Sequence, residues 1–154
     1  MVRHGATEWN RTKRAQGHAD IDLNDEGRAQ AAEAAQRLAG EDIAAVYSSD
    51  LGRSLETAGE IAKLHGLEVV PDPDLREVDQ GEWTGLDVDE IARRWPALWG
   101  DARHYSARPG GEAPAEVRER ALRARTTEPA SNCRSRAASV PRLLAQRRAG
   151  FWFA

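Results

Sequence analysis

Between Asn24 and Val70 the chain alternates helical and extended signals, and this alternation restricts the fold more than any other feature of the sequence. Asn24 is a good N-cap, Asp25 and Glu26 follow in the first turn, and an alanine-rich run reaches Ala39 before Gly40 ends it. Ile43-Ala44-Ala45-Val46-Tyr47 reads as a short buried strand leading into Ser48-Ser49-Asp50. Ser49 or Asp50 is placed to cap a second helix, with Leu55, Ala58, Ile61, Ala62 and Leu64 near one face and Gly66 at its end. Leu67 to Val70 is the next strand, stopped by Pro71 and Pro73. Val2 reads as the stub of an earlier strand, and Asp87 to Trp95 and Ala115 to Leu122 as two further helices. The expected fold is α/β: a three-layer sandwich with a mainly parallel central sheet flanked by helices.

Composition narrows the function classes. At 154 residues the chain favours one domain. No apolar run approaches the roughly 18 residues of a membrane helix, and no basic stretch with an apolar segment opens the chain, so a cytoplasmic protein with no membrane partner is expected. Cys133 is the single cysteine, which excludes a disulfide framework and a multi-thiolate metal site. Charge is uneven. Residues 1–122 carry 15 Lys and Arg against 24 Asp and Glu, a net −9, while residues 123–154 carry seven Arg against one Glu, a net +6. The acidic major segment argues against a nucleic-acid partner.

In parallel sheets the chemistry sits at the carboxyl ends of strands. Three charged clusters fall there: Arg3-His4-Gly5, Asp50 to Arg53, and Leu75-Arg76-Glu77. Two arginines, a histidine and a glutamate around one crevice suit an oxyanion, most simply a phosphoryl group. Arginine's planar fork matches phosphate oxygens. A histidine among cations is biased toward its neutral, nucleophilic form, and a nearby carboxylic acid can protonate a leaving oxygen.

Arg3-His4-Gly5-Ala6-Thr7-Glu8-Trp9-Asn10 resembles the signature of the histidine phosphatase superfamily, the phosphoglycerate-mutase-like family. Further segments follow in that family's order: Gln16-Gly17, Asp22-Leu23 with Gly27, and Ser48 to Ser54 with Glu56-Thr57-Ala58. Leu75-Arg76-Glu77 with Gly81-Glu82-Trp83 and Gly85 comes next, and Pro109-Gly110-Gly111-Glu112 closes the series. The resemblance covers about residues 1–122. It implies that His4 is the nucleophile that becomes phosphohistidine, that Arg3 and Arg53 clamp the phosphoryl oxygens, and that Glu77 is the general acid and then the base. It places Asn10, Gln16 and Gly17 on the substrate side. It implies no cofactor and no metal, because the guanidinium groups supply the positive charge. Glu8, Asp50 and Glu56 read instead as capping or surface groups, and Trp83, Trp95 and Trp99 as packing residues or pocket walls.

Two departures from the family's pattern stand out. The family has several apolar residues before Arg-His-Gly, whereas Arg3 is the third residue here, so the chain reads as truncated at both ends. The family also has a second histidine late in the chain, at the end of a buried strand. No histidine follows His104, which precedes the Pro109-Gly110-Gly111-Glu112 segment. The stretch from Thr126 to Arg148 is rich in Arg, Ala, Ser and Pro, as an out-of-frame reading of a GC-rich gene would be; a basic regulatory or nucleic-acid-binding tail is the other reading. Residues 1–122 are thus expected to form an incomplete phosphatase-like domain, and residues 123–154 a basic tail that packs poorly. The compact spacing from Arg53 to Glu77 and on to Gly111 resembles the small phosphatases of the family. The expected activity is hydrolysis of a small phosphorylated metabolite, impaired by the missing histidine. A mutase-type phosphoryl transfer and a non-catalytic phospholigand-binding remnant are the alternatives, and a homodimer is open.

Overall fold

The structure, a computed structural model, describes residues 1–100, 106–126 and 149–153. A four-residue helix, α1 (Glu8–Arg11), follows the His4 loop, and α2 (Asp25–Leu38) runs next. The strand β1 (Ile43–Ser48), the helix α3 (Gly52–Leu64) and the strand β2 (Val69–Pro71) complete the central unit. Two single turns of 3-10 helix, Pro73–Leu75 and Gly81–Trp83, lead to α4 (Val88–Arg94) and α5 (Pro114–Thr126). A last strand, β3 (Ala149–Phe153), closes the described chain.

The sheet is parallel with order β2-β1-β3. Val46 pairs with Val69 on one side and with Phe151 on the other. Parallel neighbours bury a strand on both faces, and β1 is accordingly apolar almost throughout. Ala35 of α2, Ile43 and Val46 of β1, and Ala58, Ile61 and Ala62 of α3 form the core, with Val2, Leu38, Leu67 and Val69 packed against it. Val46 and Ile61 are fully buried, each worth roughly 1.5–3 kcal/mol of apolar transfer. Small alanines on the facing sides of α2 and α3 let the two helices approach closely.

The expected helices and the strand expected over 43–47 are present. The next strand is Val69–Pro71 rather than 67–70, and Val2 belongs to no strand among the described residues. Three further details differ from expectation. Neither Ser49 nor Asp50 caps α3: its N-cap is Leu51, and Asp20 accepts from the Gly52 N–H at 2.7 Å instead, which frees Asp50 for another partner. The helix expected to end at Leu122 runs on to Thr126. The residues 149–153, expected to pack poorly, form β3. An open edge of β1 offers unpaired N–H and C=O groups, and a Gly-Phe-Trp-Phe run has the β-propensity to take them. The composition-based reading of 127–148 lies outside the described residues. No helix among the described residues is long and apolar enough to cross a membrane.

Candidate active site

His4 lies in the loop after Val2, only 8% exposed. Its Nδ1 is 2.7 Å from the Gly5 carbonyl. A carbonyl only accepts, so Nδ1 carries the proton, and the neutral ring presents its lone pair at Nε2. Burial holds the imidazolium below its ordinary range, with Arg53 and Arg3 adding to the lowering and the Gly5 carbonyl and Glu77 opposing it. His4 is therefore biased to the state in which Nε2 can attack.

The loop is held by its neighbours. The Gly5 N–H donates to Thr57 Oγ1 at 3.1 Å, and that hydroxyl donates to the Arg53 carbonyl at 2.8 Å, so α3 fixes the backbone beside the histidine. On the other side a Cβ on Gly5 would come within 2.2 Å of the Gly27 carbonyl oxygen, and one on Gly27 within 2.0 Å of that of Ala6. Only two glycines permit α2 to start this close to the loop.

Arg53 is fully buried, which lowers its pKa through desolvation. Nη1 donates to the Ala19 carbonyl at 2.7 Å and Nη2 to the Gly17 carbonyl at 2.8 Å. Gly17 holds φ +54, and a Cβ there would strike the Gln80 amide nitrogen at 2.7 Å, so the carbonyl reaches Arg53 through a turn that favours glycine. The nearest carboxylate to Arg53 is Glu77, whose Oε2 is 3.4 Å from Nη2. Arg53 Nε, Ser48 Oγ and Ser49 Oγ are buried with no hydrogen-bond partner among the described residues. Such groups are uncommon in native proteins and concentrate where function needs them.

Arg3, His4 and Glu77, with Met1 and Val2, line a cavity of about 420 Å³. Of the residues expected at the site, these three meet there, and Arg53 joins them through Glu77. Gly17 contributes its carbonyl to Arg53. Gln16 and Asn10 are engaged behind the loop: Thr7 Oγ1 donates to Gln16 Oε1 at 2.9 Å, and Asn10 Oδ1 accepts from the Thr7 N–H at 3.0 Å in the capping box of α1. Asn10 lines a different cavity, with Trp9 and Trp83. Asp50, read as a cap or surface group, binds Arg76 with both oxygens, at 2.6 and 2.5 Å, and that pairing lowers its pKa.

One further residue escaped the sequence reading. Arg120 of α5, 7% exposed, donates to the carbonyls of Asp74, Arg76 and Glu77 and to both oxygens of Glu112. His18 Nε2 donates to the same Glu77 carbonyl at 2.9 Å. The backbone that carries Glu77 is thereby pinned from two sides. A signal was present: Val117, Arg120, Ala121 and Ala124 recur at helical spacing, and an arginine on such a stripe is buried and must find acceptors.

The fold and the cluster define an α/β protein with a histidine, two arginines and a glutamate gathered at the carboxyl side of a parallel sheet. The chain matches the model of the histidine phosphatase superfamily (branch 1) over residues 1–140, and it belongs to that family. It is 39% identical over 123 residues to phosphoserine phosphatase 1 of Hydrogenobacter thermophilus, covering 78% of this chain and 58% of that protein. It is 41% identical over 125 residues to glucosyl-3-phosphoglycerate phosphatase of Mycolicibacterium vanbaalenii, covering 79% and 55%. Phosphoglycerate mutase-like protein 4 of Arabidopsis thaliana is 50% identical over 101 residues, covering 64% and 44%. Among solved structures, Bacillus stearothermophilus YhfR superposes with TM-score 0.75 at 37% identity, covering 81% of this chain and 63% of that one. The mycobacterial glucosyl-3-phosphoglycerate phosphatase complexed with VO3 gives TM-score 0.74 at 36% identity, covering 81% and 62%. The chain spans about half the length of the curated relatives it matches.

Proposed function

We propose that the protein is a metal-independent phosphomonoester hydrolase acting on a small phosphorylated metabolite through a phosphohistidine. The observation that carries this reading is His4 itself, with Nδ1 committed to the Gly5 carbonyl and Nε2 left as the lone pair, in a cavity shared with Arg3 and Glu77. Nε2 attacks phosphorus, the N–P bond forms, and the P–O bond to the alcohol breaks. Arg3 and Arg53 stabilise the charge on the phosphoryl oxygens. The Glu77 carboxylic acid gives its proton to the leaving oxygen. The resulting carboxylate takes a proton from water, which attacks phosphorus, breaks the N–P bond and restores neutral His4. Gly17 holds Arg53, while Asn10 and Gln16 support the loop from behind.

Phosphatases of phosphoserine and of glucosyl-3-phosphoglycerate among the relatives support hydrolysis of a small phosphorylated acid or its derivative. The same reading keeps the chemistry within residues 1–122 and takes the protein to be cytoplasmic without a nucleic-acid partner, with homodimer formation open. The test is acid quench after reaction with a phosphorus-labelled aryl phosphate. An acid-labile, base-stable label that disappears in His4→Ala is expected. An acid-stable label, or one retained by His4→Ala, overturns the assignment.

A further inference from the structure

We propose that the cavity beside α1, the Gly81–Trp83 turn and α4 is a second ligand site, built for a small anion that carries a flat apolar ring. Its volume is about 310 Å³, and it shares no lining residue with the cavity at His4. Small-molecule sites are typically about 300–1,000 Å³, mostly apolar, with a few placed polar groups. Three indoles, Trp9, Trp83 and Trp99, contribute to its walls, together with three cations, Lys13, Arg14 and Arg108, and among the described residues no Asp or Glu lines it. This is the reverse of the net −9 carried by residues 1–122.

Contacts among the lining side chains hold part of the wall in place. Trp83 is 2% exposed and packs against Trp95 and Trp99, with ring centroids at 6.2 and 5.7 Å. The Arg108 guanidinium lies 5.2 Å over the Trp83 ring, and Arg14 Nη1 donates to the Gly85 carbonyl at 2.6 Å. Flat rings stack on indoles and anions pair with cationic side chains, so one ligand with both features uses the indoles together with Lys13 and Arg14.

Lys13 supplies an independent observation. It is the only non-glycine with positive φ among the described residues, at φ 54. It stands just past α1 where glycine is usual: the Arg14 N–H donates to the Trp9 carbonyl at 2.8 Å and the Lys13 N–H to that of Asn10 at 3.2 Å, the double bond of a helix end closed by a left-handed residue. A lysine there costs about 1–2 kcal/mol that glycine avoids. Among the described residues no carboxylate pairs with its ammonium. Lys13 is exposed, so its ammonium stands at the solvent side of the aromatic cavity, where a ligand anion can reach it without stripping it from a protein partner.

The experiment titrates 1-naphthoate, and 1-naphthalenemethanol as its neutral match, into the 154-residue chain by calorimetry at low salt. One-to-one binding of the anion is expected, with the alcohol weaker. Lys13→Gly and Lys13→Asn both fit the left-handed backbone, so each should melt no lower than the parent and weaken the anion about two- to fivefold. Saturating vanadate should leave naphthoate binding unchanged. No binding at millimolar naphthoate, equal affinity for the alcohol, undiminished affinity in both variants, or competition by vanadate each overturns the proposal.

Discussion

Arg120 and Glu112 show how a pair of residues outside the candidate site decides where the Glu77 carboxylate stands. Arg120 satisfies three backbone carbonyls around Glu77, and Glu112 in turn occupies two of its N–H groups and accepts from the Asp79 N–H at 2.8 Å. Replacing Arg120 with Met strands those acceptors, and hydrogen bonds to charged groups are worth about 1.5–3 kcal/mol. Arg120→Met is expected to lower stability by at least about 2 kcal/mol in urea unfolding. The Arg120 hydrogen bonds hold the Glu112 carboxyl at about 2, against an ordinary 4.5, with the Asp79 N–H assisting. A depressed carboxyl contributes stability above its unfolded value and loses it as the proton binds. The stability difference between the parent and Arg120→Met should therefore be full above pH 4.5 and shrink as pH falls toward 2. A difference that grows on acidification would refute the pairing. At this scale His4, Arg3, Arg53 and Glu77 were legible because charged groups after strand ends have few structural reasons to cluster. Arg120 was not, because a burial stripe in a short helix looks apolar until its one polar member is asked for acceptors.

The elements that position the site are short, and their closeness matters more than their length. The start of α2 abuts the His4 loop through Gly5 and Gly27, and the Asn24 N–H donates to the Ala6 carbonyl at 3.0 Å. Gly27→Ala places a methyl within 2.0 Å of a backbone oxygen, and neither partner is a flexible side chain that could yield. Overpacking of this kind costs about 1–3 kcal/mol, and here it displaces the loop that carries His4, the proposed nucleophile. The variant should lose stability in that range and lose phosphoenzyme formation more than proportionately; a protein with unchanged melting and labelling would show that α2 can slide away without consequence. Strong periodicity made α2, β1 and α3 readable. The single turn α1 was not, since four residues give no period and its cap is closed by Asn10 rather than by the acidic residue usual in that box. β3 was hidden for a different reason: strand pairing of Ala149–Phe153 depends on the open edge of β1, a partner more than 100 residues earlier in the chain that no local pattern reveals.

For the molecule as a whole, the sheet determines which charges can meet at phosphorus. β3 runs parallel to β1 with Ser48 opposite Phe153, so its carboxyl end is level with the Ser48-Ser49-Asp50 segment that opens onto Arg53. The family resemblance implies a late histidine at the end of a buried strand, and the late strand described here, β3, carries none. On the proposed phosphohistidine reading, residues 1–154 supply Arg3, Arg53 and Glu77 and contain no histidine after His104. Loss of one donor from an oxyanion site typically costs about 10²–10³ in rate, roughly 3–4 kcal/mol. The same phosphoryl oxygens carry charge during attack by His4 and during hydrolysis, so loss of a donor slows both steps: the label on His4 should form slowly and the steady-state rate should be poor. On an aryl phosphate, kcat/KM of this chain is expected at least about 10²-fold below that of the Bacillus stearothermophilus relative assayed alongside it. Comparable rates for the two would show that the described charges already suffice, and that the donor opposite His4 is supplied by a residue other than a late histidine.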